Sequence, residues 1–196
     1  YYLIYRHTLT DNQDHSNTTN HNERLDAPVQ LPLTVTDASG DSANHTISLE
    51  ILDDGPIAND DRLTLAEEQD TVSGSVLGGS YSIDGGAAAQ SGAADQYGAD
   101  GASNVNGFAF ESSVSFVTSQ GTIILNRAAD GSLTDNGGLS YGKLVLNADG
   151  TYSYTRPDPS LGHVSEMGGE LRVGYTIRDG DGDSASANMV ITVDER

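Results

Sequence analysis

Three aspartates alternate with glycines in Asp179-Gly180-Asp181-Gly182-Asp183. In an extended turn alternate side chains converge on one point, and glycine permits the bends that bring carbonyls inward. Ca²⁺ takes six to eight oxygen ligands from carboxylates, carbonyls and water in flexible geometry. This run offers three carboxylates; the competing reading is a solvated acidic turn. A second turn carries Asp37, Ser39 and Asp41. A hydroxyl replaces one carboxylate there, so its site is expected to be weaker or absent. A third concentration is Asp53, Asp54, Asn59, Asp60 and Asp61, around Gly55-Pro56. Two carboxylates about 5 Å apart repel by about 3 kcal/mol at an effective dielectric of about 20. Crowded carboxylates therefore take up a cation or splay into water. A calcium ion drawing ligands from both sides of this junction would stiffen it; without one, Gly55 leaves a hinge in a flexible acidic linker. Asp95 and Asp100, in a Gly-rich stretch, are further candidates, whereas Glu67, Glu68 and Asp70 read as an exposed strand end.

Two calcium motifs are excluded by spacing. Counted from Asp179, the sixth position of an EF-hand loop would be Ser184 rather than Gly, and the twelfth Val190 rather than Glu. Gly78-Gly79 opens no tandem array of nonapeptides.

The composition favours cations as partners. Nine Lys+Arg against 29 Asp+Glu give a formal charge of −20 over 196 residues, and Lys143 is the single lysine. Phosphate recognition needs clustered cations, so nucleic acid and anionic membrane surfaces are poor partners. No apolar run approaches a membrane span, which speaks against direct membrane insertion. Cysteine is absent, which removes disulfides and thiolate metal sites. The chain is then either cytosolic or secreted and stabilised by something else. It opens on Tyr1 with no signal peptide, as expected of a fragment of a longer protein.

An enzyme is not expected. There is no Cys nucleophile, no Gly-x-Ser-x-Gly elbow and no zinc-binding His pattern. His7, His15, His21, His45 and His163 are scattered. Acid/base carboxylates need an apolar cleft, and most here lie in Gly-rich turns. The tyrosines Tyr141, Tyr152, Tyr154 and Tyr175 fall in or beside strands, where packing is the default role.

The elements that position these turns follow from a repeat. Leu33 to Ala43 and Tyr175 to Ala185 match without a gap, 142 positions apart (175 − 33). Ile47, Leu49 and Ile51 then align with Met189, Ile191 and Val193. Apolar residues at every second position mark a strand with one buried face, so each copy reads as strand, acidic turn, strand. The period makes 55–196 one complete unit and 1–54 the C-terminal half of a preceding one, expected to pack on a partner rather than fold alone. Strands are predicted at 62–66, 105–110, 113–118, 121–126, 142–147, 150–155, 171–178 and 187–193. Asp149-Gly150 between alternating Leu144, Leu146 and Tyr152, Tyr154 is a hairpin signal. Residues 84–104 read as a long Gly/Ala/Ser-rich loop. Short strands, turn residues and no helical periodicity predict an all-β antiparallel sandwich.

The order of these motifs carries a resemblance: Asp53-Asp54-Gly55-Pro56, Asn59-Asp60-Asp61, Gly98-Ala99-Asp100-Gly101, Leu146-Asn147-Ala148-Asp149-Gly150-Thr151-Tyr152, then Asp-Gly-Asp-Gly-Asp at 179–183. It resembles the tandem Ig-like or cadherin-like β-sandwich repeats of giant type I-secreted RTX adhesins of Gram-negative bacteria, over nearly the whole chain. The resemblance implies a cell-surface, extracellular protein with calcium within and between modules. It also implies neighbouring repeats of the same chain as partners and a role in cell adhesion or biofilm formation. Some such adhesins split a sandwich module around an inserted ligand-binding domain, which would also account for a half module at 1–54. Two functions follow: a calcium-rigidified extender, or a module binding a host or biofilm peptide or glycan through the 84–104 loop. An aromatic content of 6% favours the extender.

Overall fold

The computed structural model describes residues 6, 8, 28–52, 54–158 and 168–195. His7, His15, His21, His163 and Asp53 lie outside these residues. The described chain is all-β, with thirteen strands and no helix. Strands β1 (Val29–Thr36) and β2 (Ser42–Leu49) form a separate two-stranded antiparallel sheet. The others are β3 (Asp61–Leu65), β4 (Thr71–Ser75), β5 (Ser80–Ile83), β6 (Ala89–Gln90), β7 (Phe108–Thr118), β8 (Gly121–Arg127), β9 (Ser132–Thr134), β10 (Ser140–Leu146), β11 (Thr151–Thr155), β12 (Gly169–Arg178) and β13 (Ser184–Val193). They form a continuous ribbon in the order β3-β13-β12-β7-β8-β9-β10-β11-β4-β5-β6.

β8 turns this ribbon into a sandwich. Its first part pairs with β7, from Thr118↔Gly121 to Val114↔Leu125, and its last residues pair with β9 through Asn126↔Thr134 and Arg127↔Leu133. The ribbon folds over at that crossing. The Phe116 ring of β7 then meets Tyr141 of β10 edge-on at 5.2 Å. Between the layers lie Leu63, Leu65, Val72, Val114, Leu125, Leu144, Tyr152, Tyr154, Leu171, Val173, Ile177, Met189 and Ile191, all buried. Arg156, just after β11, closes one end. Its Nη2 donates to the carbonyls of Leu65 (2.5 Å) and Ala66 (2.7 Å), and Nη1 to that of Asp194 (2.7 Å).

The repeat is reproduced in the pairing. β1–β2 run in register from Val29↔Leu49 to Thr36↔Ser42, and β12–β13 contain the same ladder 142 positions on (171 − 29), from Leu171↔Ile191 to Arg178↔Ser184. The difference is burial: Ile177 is fully buried by the facing layer, whereas its counterpart Val35 is 60% exposed.

β4, β5 and β9 fall outside the predicted strands, and two further expectations change. The segments predicted at 105–110 and 113–118 are one strand, β7, whose pairing with β12 shifts between Val173↔Val114 and Tyr175↔Phe110. That bulge absorbs the polar residues that looked like a break, and Val105 lies before the strand, 71% exposed. The stretch read as a loop at 84–104 contains β6, paired with β5.

Replacing Arg156 with Leu leaves three carbonyls at the sandwich end without their charged donor. Hydrogen bonds to charged groups contribute about 1.5–3 kcal/mol each and are not additive, so a loss of about 2–4 kcal/mol is expected in urea unfolding, with the β-type circular dichroism retained.

Candidate functional site

One end of the sandwich gathers acidic side chains from separate parts of the chain. The β12–β13 turn is closed by the Asp179 N–H donating to the Asp183 carbonyl at 3.0 Å, and the Gly182 N–H donates to Asp179 Oδ1 at 3.1 Å. Gly182, at φ +109°, takes the left-handed conformation this tight turn needs. The 98–103 segment lies against it: Ala102 bridges to Asp179, and the Ser103 N–H donates to the Arg178 carbonyl at 2.9 Å. A β-carbon on Gly180 would sit 3.0 Å from the Asp100 carbonyl oxygen, so glycine lets the two turns touch. As a result, carboxylate oxygens of Asp100, Asp179 and Asp181 lie within 4.8 Å of one another.

The electrostatics of this cluster are unfavourable as it stands. Asp179 is 2% exposed. Burial, and next the hydrogen bond and charge of Asp181, push its carboxyl up to about 7, against the backbone donors of Gly182 and Asp183 that pull it down. Asp183 is buried too, and its carbonyl closes the turn, but its carboxylate is not one of the converging three.

The junction reaches the same turn. Asp54 Oδ2 accepts from the Ala99 N–H at 2.8 Å, and Gly98, at φ +77°, packs so closely that a β-carbon there would collide with the Asp54 carbonyl. Asp54 thus abuts Asp100's turn without being among the converging carboxylates. The other junction candidates point elsewhere. Asp60 Oδ1 accepts from the Asn188 N–H at 2.9 Å, and Asp60 Oδ2 pairs with Arg62 at 3.0 Å. Burial raises the Asp60 carboxyl, but these partners outweigh it and the net shift is downward. The Asn59 N–H donates to Asp95 Oδ1, and its side-chain amide to the Ala94 carbonyl. Asp61 points into the core. It lies in phase with Leu63 and Leu65 on β3, and that alternation was the sequence signal for its burial.

The first hairpin provides a contrast within the same chain. Its turn has the same backbone bond, the Asp37 N–H donating to the Asp41 carbonyl at 2.9 Å. Here Ser39, standing where the other turn has Asp181, donates from both N (2.9 Å) and Oγ (2.7 Å) to Asp37 Oδ1, which also accepts from the Asp41 N–H at 3.0 Å. The Ser39 hydroxyl, then the Asp41 N–H, hold the exposed Asp37 carboxyl below its ordinary value. One turn satisfies its carboxylate with neutral donors; the other sets carboxylates against each other.

Residues 53–192 match the bacterial Ig domain family. The chain belongs to it. The Ig domain is a non-enzymatic module type, common in bacterial surface and extracellular proteins. No curated protein matches the chain. Within the Ig domain, Gly98→Ala forces a side chain into a left-handed position and against the Asp54 carbonyl. A loss of at least about 1 kcal/mol is expected from the conformation alone. It is read as a lower unfolding midpoint in urea, and amide exchange at Ala99 should quicken as its bond to Asp54 loosens.

Proposed function

We propose that the chain is a calcium-stabilised structural repeat of an RTX-type, type I-secreted bacterial adhesin. In this reading 55–196 is one complete extender module and 1–54 the end of the module before it. The convergence of Asp100, Asp179 and Asp181 beside the junction residue Asp54 carries this reading. The donor set fits Ca²⁺: all oxygen, three carboxylates, in glycine turns that leave room for carbonyls and water. These three aspartates would hold the ion, which supplies positive charge where the chain has only negative. Because Asp54 braces the turn that carries Asp100, an ordered turn also restrains the junction between successive repeats. That is the mechanics of a spacer holding an adhesive end away from the cell, in adhesion or biofilm formation. The pairing shared by β1–β2 and β12–β13 supports tandem repeats as partners.

Binding to the folded state alone adds RT ln(1 + [L]/Kd), about 2.7 kcal/mol at a hundredfold excess over Kd. For a domain of this size that is a rise of roughly 5–10 °C in Tm. Extracellular modules bind calcium at about 10⁻⁴–10⁻³ M, so paired melts in EDTA and in 10 mM CaCl₂ are the test. The wild-type Tm should rise with calcium, and Asp181→Asn should lose most of the rise. The same Tm in both buffers would remove calcium from the account.

A further inference from the structure

The core contains a second polar cluster, separate from the acidic turn. Tyr175 on β12 is fully buried, and its hydroxyl faces three oxygens: the Asn59 carbonyl at 2.7 Å, Asp61 Oδ2 at 3.3 Å and Asp95 Oδ1 at 3.4 Å. A phenol carries one proton. The shortest contact takes it, because the Asn59 carbonyl can only accept. Both carboxyl oxygens are then left facing a lone pair, and either contact becomes a hydrogen bond only if the carboxyl itself carries a proton. Asp61 is the better placed. It is fully buried, its Oδ1 already accepts from Ser91 Oγ at 2.6 Å, and Oδ2 is the atom facing the phenol. Asp95 Oδ1 is taken by the Asn59 N–H at 2.8 Å, and Asp95 Oδ2 is buried with no hydrogen-bond partner.

We propose that Asp61 keeps a proton inside the folded domain, donated from Oδ2 to the Tyr175 hydroxyl, and that this proton ties β3 to β12. The neighbouring carboxylates Asp95 and Asp60 favour the neutral acid. Asp60 and Arg62 flank Asp61 on β3 but pair with each other at 3.0 Å. Asp95 faces it from the 91–97 segment, Tyr175 from β12, and Tyr152 from β11. The Tyr152 hydroxyl is buried without a hydrogen-bond partner and lies over Gly74. Burial first, with the charges of Asp95 and Asp60, pushes the Asp61 carboxyl up to about 6, against the bonds from Ser91 and Tyr175 that lower it. Burial raises Asp95 as well, and two adjacent carboxyls do not both ionise readily.

An unfolded aspartate titrates at about 3.9, so between that value and about 6 the folded state binds more protons. The stabilisation is complete below about pH 4 and lost as pH rises through about 6. Between pH 5 and pH 7.5 this group alone lowers the folding constant about tenfold.

The test is urea unfolding of the full chain at pH 5 and pH 7.5 in EDTA, which keeps cations out of the acidic turn, for wild type and Asp61→Asn. Asparagine is neutral at both pH values; its amide can donate to Tyr175 while its carbonyl accepts from Ser91. The wild-type folding constant should fall about tenfold more than the variant's, and titrating groups away from Asp61 and Asp95 cancel in the comparison. Equal pH dependence of the two proteins overturns the proposal. If the variant does not fold, an NMR titration of the wild-type Asp61 carboxyl decides. A midpoint near 6 supports the stored proton, and a midpoint near 4 overturns it.

Discussion

Repulsion between like charges governs one end of this domain. In a chain of net charge −20, the turns at 98–101 and 179–183 bring three carboxylates within 4.8 Å of one another, one of them buried. The surrounding structure is arranged to maintain that contact. β12 and β13 share ten paired positions that hold the acidic turn at their tip. The β7 bulge lets β7 stay paired with β12 on both sides of a register shift, and the parallel pairing of β3 with β13 brings the junction to the same end. At the opposite end of the sandwich, Arg156 ties the ends of β3 and β13 to β11. Repulsion at such a site has three outlets: splaying into water, binding a proton, or binding a cation.

The chain uses different outlets at different places. At Asp37 neutral donors from Ser39 and Asp41 satisfy the carboxylate in an exposed turn. At Asp179, Asp181 stands where that serine would be, and burial denies the charge its water. The backbone turn is the same in both copies, so a single side chain, hydroxyl against carboxylate, separates a self-satisfied turn from one suited to a divalent cation. In the core, Asp61 is fully buried beside Ser91 and Tyr175, and the outlet we propose there is a proton.

Much of this was legible from local chemistry. The hairpin ladder recurs at the spacing the sequence repeat dictates, and Asn147-Ala148-Asp149-Gly150 closes β10–β11 as a turn, with the Gly150 N–H donating to the Asn147 carbonyl. Four strands were not legible. β4, β5, β6 and β9 are short and rich in Ser, Thr, Gly or Ala. β4 in particular leaves a gap at Gly74, where the Tyr152 ring lies, so its apolar partner is supplied by another strand. The acidic triad was visible in part: the Asp-Gly alternation pointed to Asp179 and Asp181, and Gly98-Ala99-Asp100-Gly101 to Asp100. That these turns touch depends on strands far apart in sequence. The hub role of Tyr175 was invisible because a strand tyrosine reads as packing until its hydroxyl's neighbours are known.

The central claim is that the three converging carboxylates form a divalent cation site. The most direct measurement is a crystal structure of the chain grown in calcium, with anomalous scattering used to locate the ion. The account predicts a peak bound by carboxylate oxygens of Asp100, Asp179 and Asp181 together with carbonyl or water oxygens. An ordered acidic turn at millimolar calcium with only water between those carboxylates would contradict it.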